Sequence, residues 1–146
     1  MKVKYTGVFA SNGKPLLDSR GHMVKRPVVQ IELTGKDGTK IEVPTLIDSG
    51  ADTTTMNIQY ADYLGIVLDR AAHKEIMDIG NGRVQSFAGT VSFGIKSLEE
   101  TVQVPVWFVD SENVNILLGQ EVFFDTFRIK FEKDHDTFEI TKSNRL

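Results

Sequence analysis

The residues best placed by type to do chemistry are Asp48-Ser49-Gly50-Ala51, which follow directly on the apolar pair Leu46-Ile47. A carboxylate can give or take a proton as a general acid or base. Asp, Ser and Gly are also ordinary turn formers, so by themselves the four residues also describe a turn after a strand. Other chemistries have less to stand on. The chain has no cysteine, which removes thiol nucleophiles, thiolate zinc sites and disulfides. No G-x-S-x-G elbow of a serine hydrolase occurs. His22, His73 and His135 are spread without ligand spacing and read as surface or packing residues, so no metal and no cofactor is expected. Gly80-Asn81-Gly82 is no dinucleotide fingerprint, because Gln85 stands where a third glycine is needed.

These residues need elements to hold them. Val28-Val29-Gln30-Ile31-Glu32-Leu33 alternates after its first residue as a half-buried strand does. Gly35-Lys36-Asp37-Gly38 then makes a turn and Lys40-Ile41-Glu42-Val43 resumes the alternation, which predicts a hairpin. Pro44-Thr45-Leu46-Ile47 carries the chain into Asp48. Ile58 to Leu64 has apolar residues at helical spacing and stops at Gly65, which predicts a short helix. Glu75 to Ile95 reads as two strands around Gly80-Asn81-Gly82, since Asn-Gly tolerates the positive φ of a tight hairpin turn. Thr101 to Val109 alternates around Pro105, which predicts an edge or irregular strand. Asn115-Ile116-Leu117-Leu118-Gly119 is a short apolar run closed by glycine, and Gln120 to Thr126 predicts two helical turns with Val122-Phe123-Phe124 in the core. Arg128 to Glu132 is expected to pair with Thr137 to Thr141 across Lys133-Asp134-His135-Asp136, and Glu99-Glu100 to form a solvated turn. Many short strands with few helical turns predict a closed or sandwich-like all-β domain. Residues 1–27 mix Gly, Ser, Asn and Pro with apolar residues and are the least readable part.

Three features stand in one order: Asp-Ser-Gly-Ala behind an apolar pair, a hairpin tipped by Gly80-Asn81-Gly82, and Ile116-Leu117-Leu118-Gly119 before a short helical pattern. In that order the chain resembles the retropepsin-like aspartic peptidases, over about Val28 to Ile140. It is similar in style to the peptidase domains of the DNA-damage-inducible ubiquitin-shuttle proteins and to bacterial retropepsin-like proteins. The resemblance implies an all-β fold: a closed acid-protease-like β-barrel with one or two short helices, assembled as a symmetric homodimer. Residues 1–146 would be one such domain, with 1–27 as an extended N-terminal segment. The implied activity is aspartic endopeptidase, acting on a polypeptide substrate.

The chemistry explains the residue types. Hydrolysing an amide without a metal or a nucleophilic side chain takes a water held between a general base and a general acid. Two close carboxylates cannot both ionise, so they share one proton and supply both roles. The chain has one motif of this kind, since Asp52, Asp62, Asp69 and Asp110 lack the Ser/Thr-Gly context. The resemblance therefore makes Asp48 the catalytic carboxylate, with the second supplied by Asp48 of an identical partner across a two-fold axis. It further implies that the Ser49 hydroxyl donates to the partner's backbone, that Gly50 lets the backbone approach substrate, and that the small Ala51 leaves the cleft open. Ile79, Gly80, Asn81 and Gly82 would close over bound peptide as a flap. Leu117-Leu118 would pack beneath the catalytic loop. One departure stands out. In many retroviral members an arginine after the downstream glycine pairs with an aspartate just after the first motif, whereas here Gln120 follows Gly119. Asp52 thus lacks that partner and is expected to bind substrate.

Bulk properties agree with such a protein. The chain has 146 residues, 40% hydrophobic and 25% charged, enough to bury one core without staples. The net charge of −3 and the scattered basic residues argue against a nucleic-acid partner. No apolar run is long enough to span a bilayer and the start lacks a secretory pattern, so a cytoplasmic, non-membrane protein is expected. Two other readings stay open: a noncatalytic peptide-binding or dimerisation module on the same fold, and a structural β-domain whose motif is accidental.

Overall fold

Alternation along each strand decides which side chains are hidden, and pairing decides where the hidden faces meet. The computed structural model describes residues 1–69, 73–77, 82–112 and 115–143. Its strands begin with β1 (Lys2–Lys4), β2 (Thr6–Gly7), β3 (Lys25–Arg26), β4 (Val28–Thr34), β5 (Lys40–Ile47) and β6 (Thr54–Asn57). The helix α1 (Gln59–Tyr63) follows, then β7 (His73–Met77), β8 (Arg83–Ile95), β9 (Glu100–Val109) and β10 (Ile116–Leu118). A helical turn α2 (Phe123–Thr126) leads into the final hairpin of β11 (Phe127–Glu132) and β12 (Thr137–Lys142). No helix among the described residues is long and apolar enough to cross a membrane.

Strands β4, β5, β10, β6, β9 and β8 lie side by side in that order. β4 then pairs back onto β8 through Glu32↔Gly94, Leu33↔Phe93 and Thr34↔Ser92, which closes a six-strand barrel. Closure leaves these strands no open edge at the seam. The alternating set Val29, Ile31, Leu33, Val43, Ile47, Met56, Phe93, Val106, Phe108, Ile116 and Leu118 is buried inside. Pro105 is a partial correction to the sequence reading. β9 runs within the barrel, but its parallel neighbour β6 reaches only Val106 to Val109, so residues 100–105 pair with β8 alone. The residue without an N–H sits where one side has no partner strand. The expected helix is present, with Ala61 and Leu64 buried and Gly65 at φ +66° ending it.

The second expected helix is shorter than its sequence pattern. It is a single turn, because Val122 stands at φ 67°, outside the helical region, and the helix begins only after it. The Gln120 and Glu121 amides donate to the carbonyls of Ala51 and Asp52, each at 2.9 Å. Its Phe123 is fully buried, as the pattern required. The turn at Glu99 is left-handed at φ 52°, while Glu100 already belongs to β9.

The amino-terminal segment folds as well. Val8 N–H donates to Val24 O (2.9 Å), Val24 N–H to Leu16 O (2.8 Å) and Leu16 N–H to Val8 O (2.9 Å), so three short segments each pair with the other two. This finger is tied to the β11–β12 turn by Tyr5 N–H to Asp136 O and by Lys25 Nζ to Asp136 Oδ2, both 2.9 Å. The hydrogen bond from Lys25 holds the Asp136 carboxyl below the usual carboxylate range. The tie therefore contributes above that range and is lost as pH falls through the lowered value.

Phe93 has no exposure and stands at the closing seam, whereas Phe131 on the outer hairpin is 41% exposed. Phe93→Ala should cost about 3–5 kcal/mol through lost burial and a residual cavity. Phe131→Ala should cost much less, and urea denaturation of the two variants measures the difference.

Candidate active site

Residues 48–53 connect β5 to β6, yet those strands are not neighbours. β10 lies between them, parallel to β5 (Leu117↔Leu46, Leu118↔Ile47) and antiparallel to β6 (Ile116↔Met56, Leu117↔Thr55). The connection must therefore pass over the end of β10. Its backbone is held on both limbs. Asp48 N–H donates to Leu118 O (2.9 Å), Ala51 N–H to Asp48 O (3.1 Å) and Gln120 N–H to Ala51 O (2.9 Å). Ile47 N–H donates the other way, to Pro27 O at 3.0 Å.

Two side chains complete the clamp. Thr54 is fully buried, and its Oγ1 accepts the Gly119 N–H at 3.1 Å. A Cβ at Gly119 would overlap the Thr53 carbonyl group, so the approach requires glycine there. Gln120 Nε2 donates to the Ser49 carbonyl. The glutamine that stands in place of arginine is thus committed to the loop's backbone. Sequence reasoning marks Gln120 only as a departure and misses Thr54 altogether. The alternation that puts a hydroxyl residue at an inward position beside Met56 is the available signal for Thr54.

Within this frame the Asp48 side chain is half-buried, and its Oδ1 accepts the Gly50 N–H at 3.0 Å. That bond sets the direction of the carboxylate. Ser49, Gly50 and Asp52 are exposed, and Ala51 is half-buried. Leu118 is buried under the loop and Leu117 only partly, because they point to opposite sides of β10. Leu46, two residues before Asp48, pairs with Leu117, Leu117 with Thr55, and Thr55 with Trp107. Directly paired residues share a face. A half-buried row therefore runs outward over four strands from the residue that leads into Asp48.

The expected hairpin around Gly80-Asn81-Gly82 is present as far as the described residues reach. β7 pairs with β8 from His73↔Phe87 to Met77↔Arg83. Gly82 is exposed at φ +81°, while Ile79, Gly80 and Asn81 lie outside the described residues. Lys74 of β7 puts its Nζ 4.2 Å from the centre of the Trp107 ring.

Comparison with known proteins points one way. Residues 35–124 match the family model described as "gag-polyprotein putative aspartyl protease". Among solved structures, the chain is similar to the retroviral protease-like domain of Ddi1 from Leishmania major (TM-score 0.55, 15% identity, 81% of this chain and 90% of that one). It is also similar to a retropepsin-like aspartic protease from Rickettsia conorii (TM-score 0.52, 16% identity, 85% of each chain). At such identities the likeness is one of fold. No curated protein matches the chain in sequence.

Removing the Thr54 hydroxyl at constant shape leaves the Gly119 N–H without its buried acceptor. Thr54→Val should cost about 1–3 kcal/mol in urea denaturation. Gly119→Ala forces the loop off β10 and should cost a similar amount or more. In hydrogen exchange both variants should lose protection at the Asp48 and Gln120 amides before the rest of the barrel.

Proposed function

The chain belongs to the family of gag-polyprotein aspartyl proteases, and on that premise we propose that it is an aspartic endopeptidase working as a homodimer. The observation that carries this reading is the clamped loop, which holds one half-exposed carboxylate, Asp48, at the end of a rigid barrel. One such loop per chain makes half a site, and a two-fold axis beside it completes the pair.

In the proposed reaction an extended peptide lies across the two loops. One Asp48 carboxylate takes a proton from the attacking water as its oxygen bonds to the scissile carbonyl carbon. The protonated Asp48 of the partner gives its proton to the carbonyl oxygen, which yields a neutral tetrahedral diol. Return of a diol proton to a carboxylate and transfer of a proton to the amide nitrogen then break the C–N bond, releasing acid and amine. The Gly50 N–H on Oδ1 orients the carboxylate for this work. Leu46 and Leu117 offer apolar contact to side chains beside the cleaved bond. Asp52 would meet the substrate farther out, and residues 79–82 would cover it as a flap.

Asp48→Asn keeps shape and removes the proton chemistry. Peptide cleavage should fall by at least about a hundredfold, while sedimentation still shows a dimer. Activity of the natural chain should drop on dilution through the dimer dissociation constant. Its pH profile should be bell-shaped, because the pair works in one protonation state, and chelators should have no effect. A variant that retains turnover, or a fully active monomer, overturns the proposal. A dimer that binds peptide without cutting it identifies a binding module.

A further inference from the structure

The half-buried row beside Asp48 ends at a positive charge. Leu46, Leu117, Thr55 and Trp107 lie on four successive strands, and Lys74 Nζ stands over the last of them, 4.2 Å from the ring centre. The indole face attracts the ammonium and fixes its place. Among the described residues no carboxylate forms an ion pair with Lys74. Its neighbour Glu75 is instead occupied by Arg83 (3.5 Å) and by Gln85 (3.2 Å). The base of Lys74 is steadied by Ser86, buried, whose Oγ donates to the Lys74 carbonyl at 2.9 Å. A positioned cation at the end of an apolar row is a recognition element for a chain with an apolar residue followed at a distance by an acidic one.

Spacing sets that distance. Neighbouring strands lie about 4.8 Å apart, so the row from Leu46 to Trp107 spans about 14 Å. An extended peptide laid along it puts same-side residues about 6.7 Å apart. A side chain seated at Leu46 and Leu117 is then followed by one near Thr55 two residues on and one near Trp107 four residues on. We propose that Lys74, seated on Trp107, selects peptides with an aspartate or glutamate two to four residues from the apolar residue at the cleavage point. This rests on the reading of Asp48 as the catalytic carboxylate, and it names the substrate class that site would take.

Binding to the Asp48→Asn chain tests selection without turnover. Ten-residue fluorescein-labelled peptides with a central Leu-Leu would carry Glu, Gln or Lys at the second, third or fourth position on either side. Affinity is read by anisotropy and by the emission of Trp107, the sole tryptophan. At one or more positions the Glu peptide should bind about five- to tenfold more tightly than its Gln counterpart, as a charge-assisted contact at a partly exposed site gives. The preference should shrink in about 0.5 M salt. In the background of Asp48→Asn, Lys74→Met should level it and Lys74→Glu should turn it toward Lys. Equal binding of Glu and Gln peptides at every position, a preference that survives Lys74→Glu, or no peptide binding at all overturns the proposal. Cleavage by the unaltered chain is scored separately. Selective binding with no cleavage leaves Lys74 in its role and removes the peptidase reading, while cleavage without acidic preference does the reverse.

Discussion

Most of this molecule depends on one constraint: a short strand must lie between two strands that are consecutive in the chain. β5 and β6 are joined by the residues that carry Asp48, and β10 fills the gap between them. The connecting backbone has no strand partner of its own where it crosses, so its polar groups must find partners at the end of β10 and just beyond it. They do so in Leu118, Gly119, Gln120 and Glu121, and each of those bonds removes freedom from the loop. Just beyond them Val122, at φ 67°, limits the following helix to a single turn. A carboxylate held in this way is positioned before any ligand arrives, which is what proton transfer requires.

The barrel supplies rigidity at a larger scale. Pairing of β4 with β8 brings the hairpin that leads into Asp48 against the long strand that also pairs with β7. One continuous element, β8, thus touches β4 at the seam, β7, and β9 with its Trp107. Side chains on the inner face of these strands fill the core, and those on the outer face beside Asp48 stay partly open. Two roles are written on alternate residues of the same strands.

The strands and the order of the site features were legible because alternation and turn chemistry are local. Val28 to Ile47, the β11–β12 hairpin and the helix ending at Gly65 needed nothing beyond their own residues. Other features depended on partners far along the chain. Nothing near Pro105 says that β6 stops short of it, and nothing near Gln120 says that its amide belongs to Ala51. Thr54 looks like any strand threonine until Gly119 is placed against it. Residues 6–26 were unreadable because their pairing is a closed triangle of Val8, Leu16 and Val24 rather than a periodic ladder. For the candidate site, the sequence offered Asp48 and its neighbours, while the groups that hold them came only from the threading of β10.

That threading also governs when the loop comes into being. Thr54 and Gly119 are 65 residues apart, and Gln120 and Ser49 are 71 apart. During synthesis the amino-terminal strands emerge first, and contacts of such long range are closed late because ordering the intervening chain is costly. A nascent chain that ends before Leu118 holds Asp48 in an unsupported turn. The geometry of the loop therefore arrives only once Leu118 to Glu121 have been made, some seventy residues after Asp48 itself.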